Sequence, residues 1–119
     1  MASHNDLGKK GEALAATYLI EQGYEIVARN YRFQKAEVDI LARKREVLAV
    51  VEVKTRTSTY FGDPQEFITP KKITLLVAAV DHYVTTNELT VEVRFDIIAI
   101  VHTTGVFEIT HLKDAFLHF

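Results

Sequence analysis

Cysteine is absent from the 119 residues. That excludes disulfides and zinc–thiolate centres, and it suits a reducing cytosol. The opening Met1-Ala2-Ser3-His4-Asn5-Asp6 has no charged-then-apolar leader pattern, and no apolar run approaches the roughly 20 residues that span a bilayer. The expectation is a cytoplasmic protein with no membrane partner. Strong charge of either sign is also missing: the formal net charge is -2 and the pI about 6.2. The whole-molecule field therefore does not gather nucleic acid, and any polyanion must be met by local groups. Histidine is scattered (His4, His82, His102, His111, His118) without ligand spacing, which argues against a histidine metal site. Neither a serine-nucleophile nor a glycine-rich phosphate-loop motif occurs, and there is no internal repeat or low-complexity segment.

What is present is ordinary for one globular domain spanning 1–119: 48% hydrophobic and 25% charged residues. Leu7, Gly11, Leu14, Ala15, Tyr18 and Leu19 recur at helical spacing, predicting a helix over Asp6 to Gln22 that stops at Gly23, with Asn5 or Asp6 as its cap. Glu12 lies beside that stripe, next to a glycine that weakens a helix unless a close approach requires it. Tyr24 to Phe33 is rich in β-formers and leads through Gln34-Lys35-Ala36 into a hairpin. Thr55 to Ile68 loses periodicity and is expected to be a long loop, with Tyr60-Phe61 as its anchor. Thr69-Pro70 then starts a second helix, carried by Ile73, Leu76, Val77, Val80, Tyr83 and Val84 to about Thr86. Val91 to Val101 and Val106 to Ile109 follow as strands, and His111 to Phe116 is expected to close the chain as a short helix. The order αβββαββ predicts an α/β fold with a mixed central sheet flanked by helices, and a parallel, right-handed crossover through the second helix.

The hairpin carries the chemistry. Glu37 to Lys44 and Val47 to Thr55 are strand-like, and Lys44-Arg45-Glu46 is the reversal point. With Arg45-Glu46 as a two-residue loop, Lys44 faces Val47 and Asp39 falls opposite Glu52. Period-two alternation puts Glu37, Asp39 and Leu41 on one face, and Leu48, Val50, Glu52 and Lys54 on one face of the next strand. Glu52 and Lys54 interrupt or follow a run, Val47 to Val51, that looks buried on both sides, so charges there need a reason.

Two carboxylates and an ammonium suit metal-dependent phosphodiester hydrolysis. Magnesium takes one or two carboxylates and keeps waters; Asp39 and Glu52 could supply these, the Val53 carbonyl a further oxygen, and Lys54 an ammonium that orients water or offsets negative charge. An acid followed a dozen residues later by Glu-x-Lys also arises by chance, and a structural salt-bridge cluster accounts for it equally well. Basic groups recur around the hairpin. Lys9, Lys10, Arg32, Arg56 and Lys72 are candidate nucleic-acid contacts, against the alternative of a solvated surface. Lys71 and Lys72 stand in the first turn of the second helix, where cations oppose the dipole unless an anion such as phosphate is met there.

Gly8-Lys9-Lys10-Gly11-Glu12, Tyr18-Leu19, Gly23-Tyr24, Arg29-Asn30-Tyr31-Arg32, Glu37 to Ala42, Val51 to Arg56, Phe61-Gly62 and Arg94-Phe95-Asp96 together resemble the small bacterial YraN-like family. That family is similar to Holliday junction resolvases and to the restriction-endonuclease-like, PD-(D/E)xK superfamily. The resemblance runs from about Asp6 to Phe116. It implies a restriction-endonuclease-like αβββαβ core, a Mg2+ or Mn2+ site at Asp39 and Glu52, Lys54 as catalytic lysine and Glu12 as a helix-borne acid reaching the same site. Ala36 stands where the family usually has glycine, and Val38 where the superfamily has proline; neither removes a ligand.

Three functions remain in view. The first is a DNA endonuclease, a metal-dependent hydrolase acting on branched DNA among other forms. The second is a non-catalytic nucleic-acid-binding module on the same fold. The third is a protein-interaction partner using the Thr57 to Ile68 loop and the aromatics between Phe116 and Phe119. Since similar resolvases pair to address two strands, a homodimer is a further expectation.

Overall fold

The computed structural model describes residues 4–57 and 68–115. The anchoring role expected of Tyr60-Phe61, most of the Thr57 to Ile68 loop, and the aromatics from Phe116 onward lie outside the described residues. The elements follow the order α1 (His4–Glu21), β1 (Glu25–Phe33), β2 (Ala36–Lys44), β3 (Val47–Arg56), α2 (Pro70–Thr86), β4 (Glu92–Thr103) and β5 (Val106–Leu112). The strands form one five-stranded sheet in the order β1-β2-β3-β4-β5. Neighbours run antiparallel except β3 and β4, which are parallel and joined through α2. This is a mixed α/β sheet flanked by two helices, compatible with an αβββαβ core.

Each sheet face has its own core. Leu41, Leu48, Val50 and Ile97 pack with Ile73, Leu76, Ala79 and Val80 of α2. Ile40, Ala42, Ala49, Val51, Ile98 and Ile100 pack with Ala15, Ala16 and Leu19 of α1. β3 is therefore covered on both faces, as its unbroken apolar run requires.

α1 starts at His4, so Asp6 lies inside its first turn, where a carboxylate favours the helix dipole. Gly11 allows α1 to approach the sheet closely: a Cβ there would clash with Thr55 Oγ1 on β3. At the start of α2, Thr69 accepts a hydrogen bond from the Lys72 amide at 3.1 Å, and Pro70 opens the helix.

The hairpin has the expected register, Lys44 against Val47 and Ile40 against Val51. Its alternation does not run through unbroken. Val38 belongs to the α2 core with Leu41, whereas Ile40, two residues on, belongs to the α1 core. The expectation that Glu37, Asp39 and Leu41 share a face is corrected on this point, because the strand turns over at Asp39. The neighbouring strand bends there too: Asn30 has φ 52, and the β1–β2 ladder passes from Arg29–Ile40 to Tyr31–Val38.

The C-terminal expectation also changes. His111 pairs with Ile98 and stays in β5, and Lys113-Asp114 forms a turn, so no helix begins at His111. The Asp114 amide donates to Asp96 Oδ1 at 3.1 Å and the Ala115 amide to the Phe95 carbonyl at 2.8 Å. These bonds tie the amides to β4 and take them out of reach of a helical pattern.

Candidate functional site: a carboxylate cluster at one end of the sheet

The first half of β2, the second half of β3, the middle of α1 and the first turn of α2 meet at one end of the sheet. Asp39 is half-buried, and its Oδ2 accepts a hydrogen bond from the Val53 amide at 2.8 Å. Val53, whose carbonyl is the expected further oxygen ligand, also contributes its N–H to the cluster. Glu52 is 4% exposed. Lys72 Nζ, arriving from α2, lies 2.5 Å from its Oε1, and Lys54 Nζ lies 3.9 Å away. Glu12 comes in from α1, positioned by the contact of Gly11 with Thr55. Its Oε1 is buried without a hydrogen-bond partner, with Arg29 Nη2 at 3.7 Å.

These acids repel one another. Burial raises the pKa of all three above the usual carboxylate range, and the charge of Asp39 pushes those of Glu52 and Glu12 up further. Lys72 and Lys54 oppose the rise at Asp39 and Glu52, and Arg29 and Asn30 oppose it at Glu12. Among the described residues no three His, Asp or Glu side chains close into a ready-made cation cage. A hard cation that retains its waters asks for only one or two carboxylates, however, and the unsatisfied Glu12 oxygen is a vacant acceptor beside them. The donor set fits such an ion, with Lys72 standing as the counter-charge of Glu52.

A cavity of about 400 Å³ opens alongside, lined by Lys35, Glu37, Asp39, Thr69, Lys71 and Lys72 among others. Asp39 therefore faces a concave, partly cationic space at the start of α2, where a phosphate would meet both the ammonium groups and the helix end.

The basic candidates divide. Lys72 belongs to the cluster itself. Arg32 is exposed and paired with Glu37 at 3.2 Å, close to the cavity wall. Arg56 is exposed at the end of β3, its Nη1 donating to the Thr55 carbonyl at 3.2 Å. Lys9 and Lys10 are exposed on α1, but Lys10 Nζ sits 5.1 Å from the ring centre of Phe107 on β5, three places from β2 in the sheet. Lys10 is therefore not gathered to Asp39.

Sequence reasoning missed two features. One is Lys72 as the partner of Glu52; a buried glutamate in an apolar strand signals that some cation must cover it. The other is a polar network on the α1 face. Asp96, fully buried, accepts from Arg94 Nε at 2.9 Å and Nη2 at 2.8 Å and contacts His111 Nε2 at 2.8 Å. Arg94 Nη2 also reaches Tyr24 Oη at 2.6 Å, and His111 Nδ1 meets Tyr18 Oη at 3.1 Å. Burial pushes the Asp96 pKa up, but His111, Arg94 and the Asp114 amide outweigh it and the net shift is down. Its signal was the charged Arg94-x-Asp96 pair at the head of an apolar strand.

The chain was also compared with known proteins. The family described as "Uncharacterised protein family UPF0102" matches residues 11–100, a span that takes in Glu12, Asp39, Glu52, Lys54, Lys72 and Asp96. A UPF0102 protein of Flavobacterium psychrophilum is 55% identical over 119 residues, covering 100% of both chains. One of Christiangramia forsetii is 56% identical over 119 residues, again with 100% of each covered. A more distant relative, from Bacteroides fragilis, is 47% identical over 116 residues, covering 98% of this chain and 96% of its own. A match across most of the chain, with relatives of this identity over their full length, shows that the chain belongs to the UPF0102 family.

Proposed function

We propose that this protein is a metal-dependent DNA endonuclease that hydrolyses phosphodiesters, with branched DNA among its substrates. The observation that carries the reading is the convergence of Glu12, Asp39 and Glu52 with Lys54 at one sheet end, where one carboxylate oxygen is buried with no hydrogen bond. The sequence resemblance to the YraN-like proteins and, through them, to Holliday junction resolvases supports the same chemistry.

Asp39 and Glu52 would hold Mg2+ or Mn2+. The ion would supply Lewis-acid chemistry, polarising the phosphoryl group and making water a better nucleophile. Lys54 lies close enough to Glu52 to offset charge that builds on the phosphoryl oxygens. Glu12 Oε1, which has no hydrogen bond and only the Arg29 guanidinium at 3.7 Å, would accept the proton of the attacking water as the new P–O bond forms and the bond to the leaving oxygen breaks. Lys35 and Lys71 line the cavity and would meet the backbone phosphates that flank the reacting one.

The test is incubation of the protein with a four-way DNA junction, a flapped duplex and a plain duplex, with Mn2+ or with EDTA. Metal-dependent cleavage that is lost in Lys54→Ala and in Asp39→Asn, with both variants still folded, supports hydrolysis. One observation favours a second reading, a non-catalytic nucleic-acid-binding module: Lys72 already neutralises Glu52 at 2.5 Å. On that reading the junction binds in a salt-dependent manner and is never cut, and the acid substitutions leave its affinity unchanged. A cytoplasmic location and a homodimer belong to the same proposal, the dimer being testable by sedimentation. No helix among the described residues is long and apolar enough to cross a membrane.

A further inference from the structure

A second concave site lies at the other end of the sheet. Asp39 and Lys44 are five residues apart on β2, roughly 17 Å at strand spacing. Around Lys44 a cavity of about 370 Å³ is lined by Tyr24, Lys44, Arg45, Glu46, Arg94 and Lys113, among others. Four cationic side chains thus face one space against a single carboxylate. They come from the β2–β3 turn, from the head of β4 and from the turn after β5. No run of charge in the sequence brings them together; the fold does.

The cations differ in how they are held, and the difference points to a ligand. Arg94 is clamped by two hydrogen bonds to the fully buried Asp96 and a third to Tyr24 Oη, so its guanidinium is fixed before any ligand arrives. Those bonds use Nε and Nη2 and, among the described residues, leave Nη1 unused. Lys44 Nζ is placed by the Gln22 carbonyl at 2.8 Å and lies 5.4 Å from the Tyr24 ring centre. Arg45 is held in the left-handed region at φ 56, at the tip of a two-residue turn. Neither its guanidinium nor the Lys113 ammonium has a hydrogen bond or ion pair among the described residues, and Glu46 bridges neither. A fixed guanidinium and a fixed ammonium, flanked by two free cations in a cavity of this volume, form a receptor for a multiply charged oxyanion. The Tyr24 face is already covered by Lys44 and Arg94. Stacking of a base or ring on it is therefore not what the site offers.

We infer that this cavity is a phosphate-ester site, separate from the carboxylate cluster and built around Arg94, Lys44, Arg45 and Lys113. It stands whether or not the cluster cleaves DNA. The phosphate could belong to a free polyphosphate or nucleotide, or to the backbone of a nucleic-acid strand.

The experiment is an NMR titration of isotope-labelled protein with pyrophosphate and, separately, with a ten-nucleotide single-stranded DNA. It is repeated on the double variant Arg45→Asn, Lys113→Ser. Asparagine tolerates the left-handed conformation and both positions are exposed, so the variant retains the fold. Saturable shifts at Arg45, Arg94 and Lys113, weakened roughly tenfold or more in the double variant, are the expected result. Displacement of the oligonucleotide by pyrophosphate from these residues assigns the site to backbone phosphate. Pyrophosphate binding without competition from the strand assigns it to a free phosphate ester. Unchanged affinity in the double variant, or shifts from neither probe at these residues, overturns the inference.

Discussion

Lys72 Nζ lies 2.5 Å from Glu52 Oε1, so a lysine from the first turn of α2 neutralises a glutamate that β3 buries. A cation bound by Glu52 must compete with that ammonium. Lys72→Met should therefore tighten manganese binding, by about tenfold if the displaced pair is worth near 1.4 kcal/mol. Without metal the same variant should lose about 1–3 kcal/mol of stability. That is less than for a fully buried pair because Lys72 is partly exposed. Calorimetry and urea unfolding measure the two effects, and weaker manganese binding in Lys72→Met would contradict the competition.

Gly11 and Thr55 set the depth at which α1 sits. A Cβ at residue 11 would clash with Thr55 Oγ1 and meet Thr55 Cβ at 3.0 Å, so rotating the hydroxyl away does not clear the space. Gly11→Ala should push the helix outward, cost about 1–3 kcal/mol as an overpacked contact, and withdraw Glu12 from Asp39. Equilibrium unfolding together with cleavage rates reads both consequences. A stable variant of undiminished activity would show that the close approach serves neither.

Acid dependence follows from two opposite shifts. Glu12, Asp39 and Glu52 have folded-state pKa values above their unfolded ones, near 4. Between the two values the native protein binds more protons than the unfolded chain, so this cluster's contribution to stability falls as pH rises through that window. Lowering the pH from neutral through the folded values should raise the urea midpoint. Asp39→Asn, which keeps an oxygen to accept the Val53 amide, should raise the midpoint at pH 7 and flatten the rise. An equal rise in both proteins would mean the acids are not coupled.

Asp96 behaves in the reverse sense. Its folded pKa is depressed, so the stability it contributes is present above the ordinary carboxylate value and lost as pH falls through the folded value. Asp96→Asn leaves Arg94 without its counter-charge and should cost about 3–5 kcal/mol at neutral pH. Because Asp96 lies on the α1 face, away from Glu52, manganese affinity should stay unchanged in that variant so long as it folds. Loss of metal binding in folded Asp96→Asn would join the two networks.

Much of this architecture was legible along the chain. Lys44-Arg45-Glu46 breaks two apolar stretches and so gives the hairpin its register, and Thr69-Pro70 marks the start of α2 because both capping and proline geometry act locally. The break in alternation at Asp39 was not legible, since it depends on the bend at Asn30 in the adjoining strand. Nor was the pairing of Lys72 with Glu52, which needs α2 to dock against β3 at one particular depth. His111 misled for the same reason. Its local sequence permits a short helix, and only pairing with β4 and the buried Asp96 carboxylate hold it in a strand.

The central claim is that Asp39 and Glu52 hold a divalent cation, and calorimetric titration of manganese into the wild type and into Asp39→Asn tests it without any choice of DNA. Saturable binding to the wild type that disappears in the variant is the predicted result. Absence of binding to the wild type, or equal binding to both proteins, would contradict it.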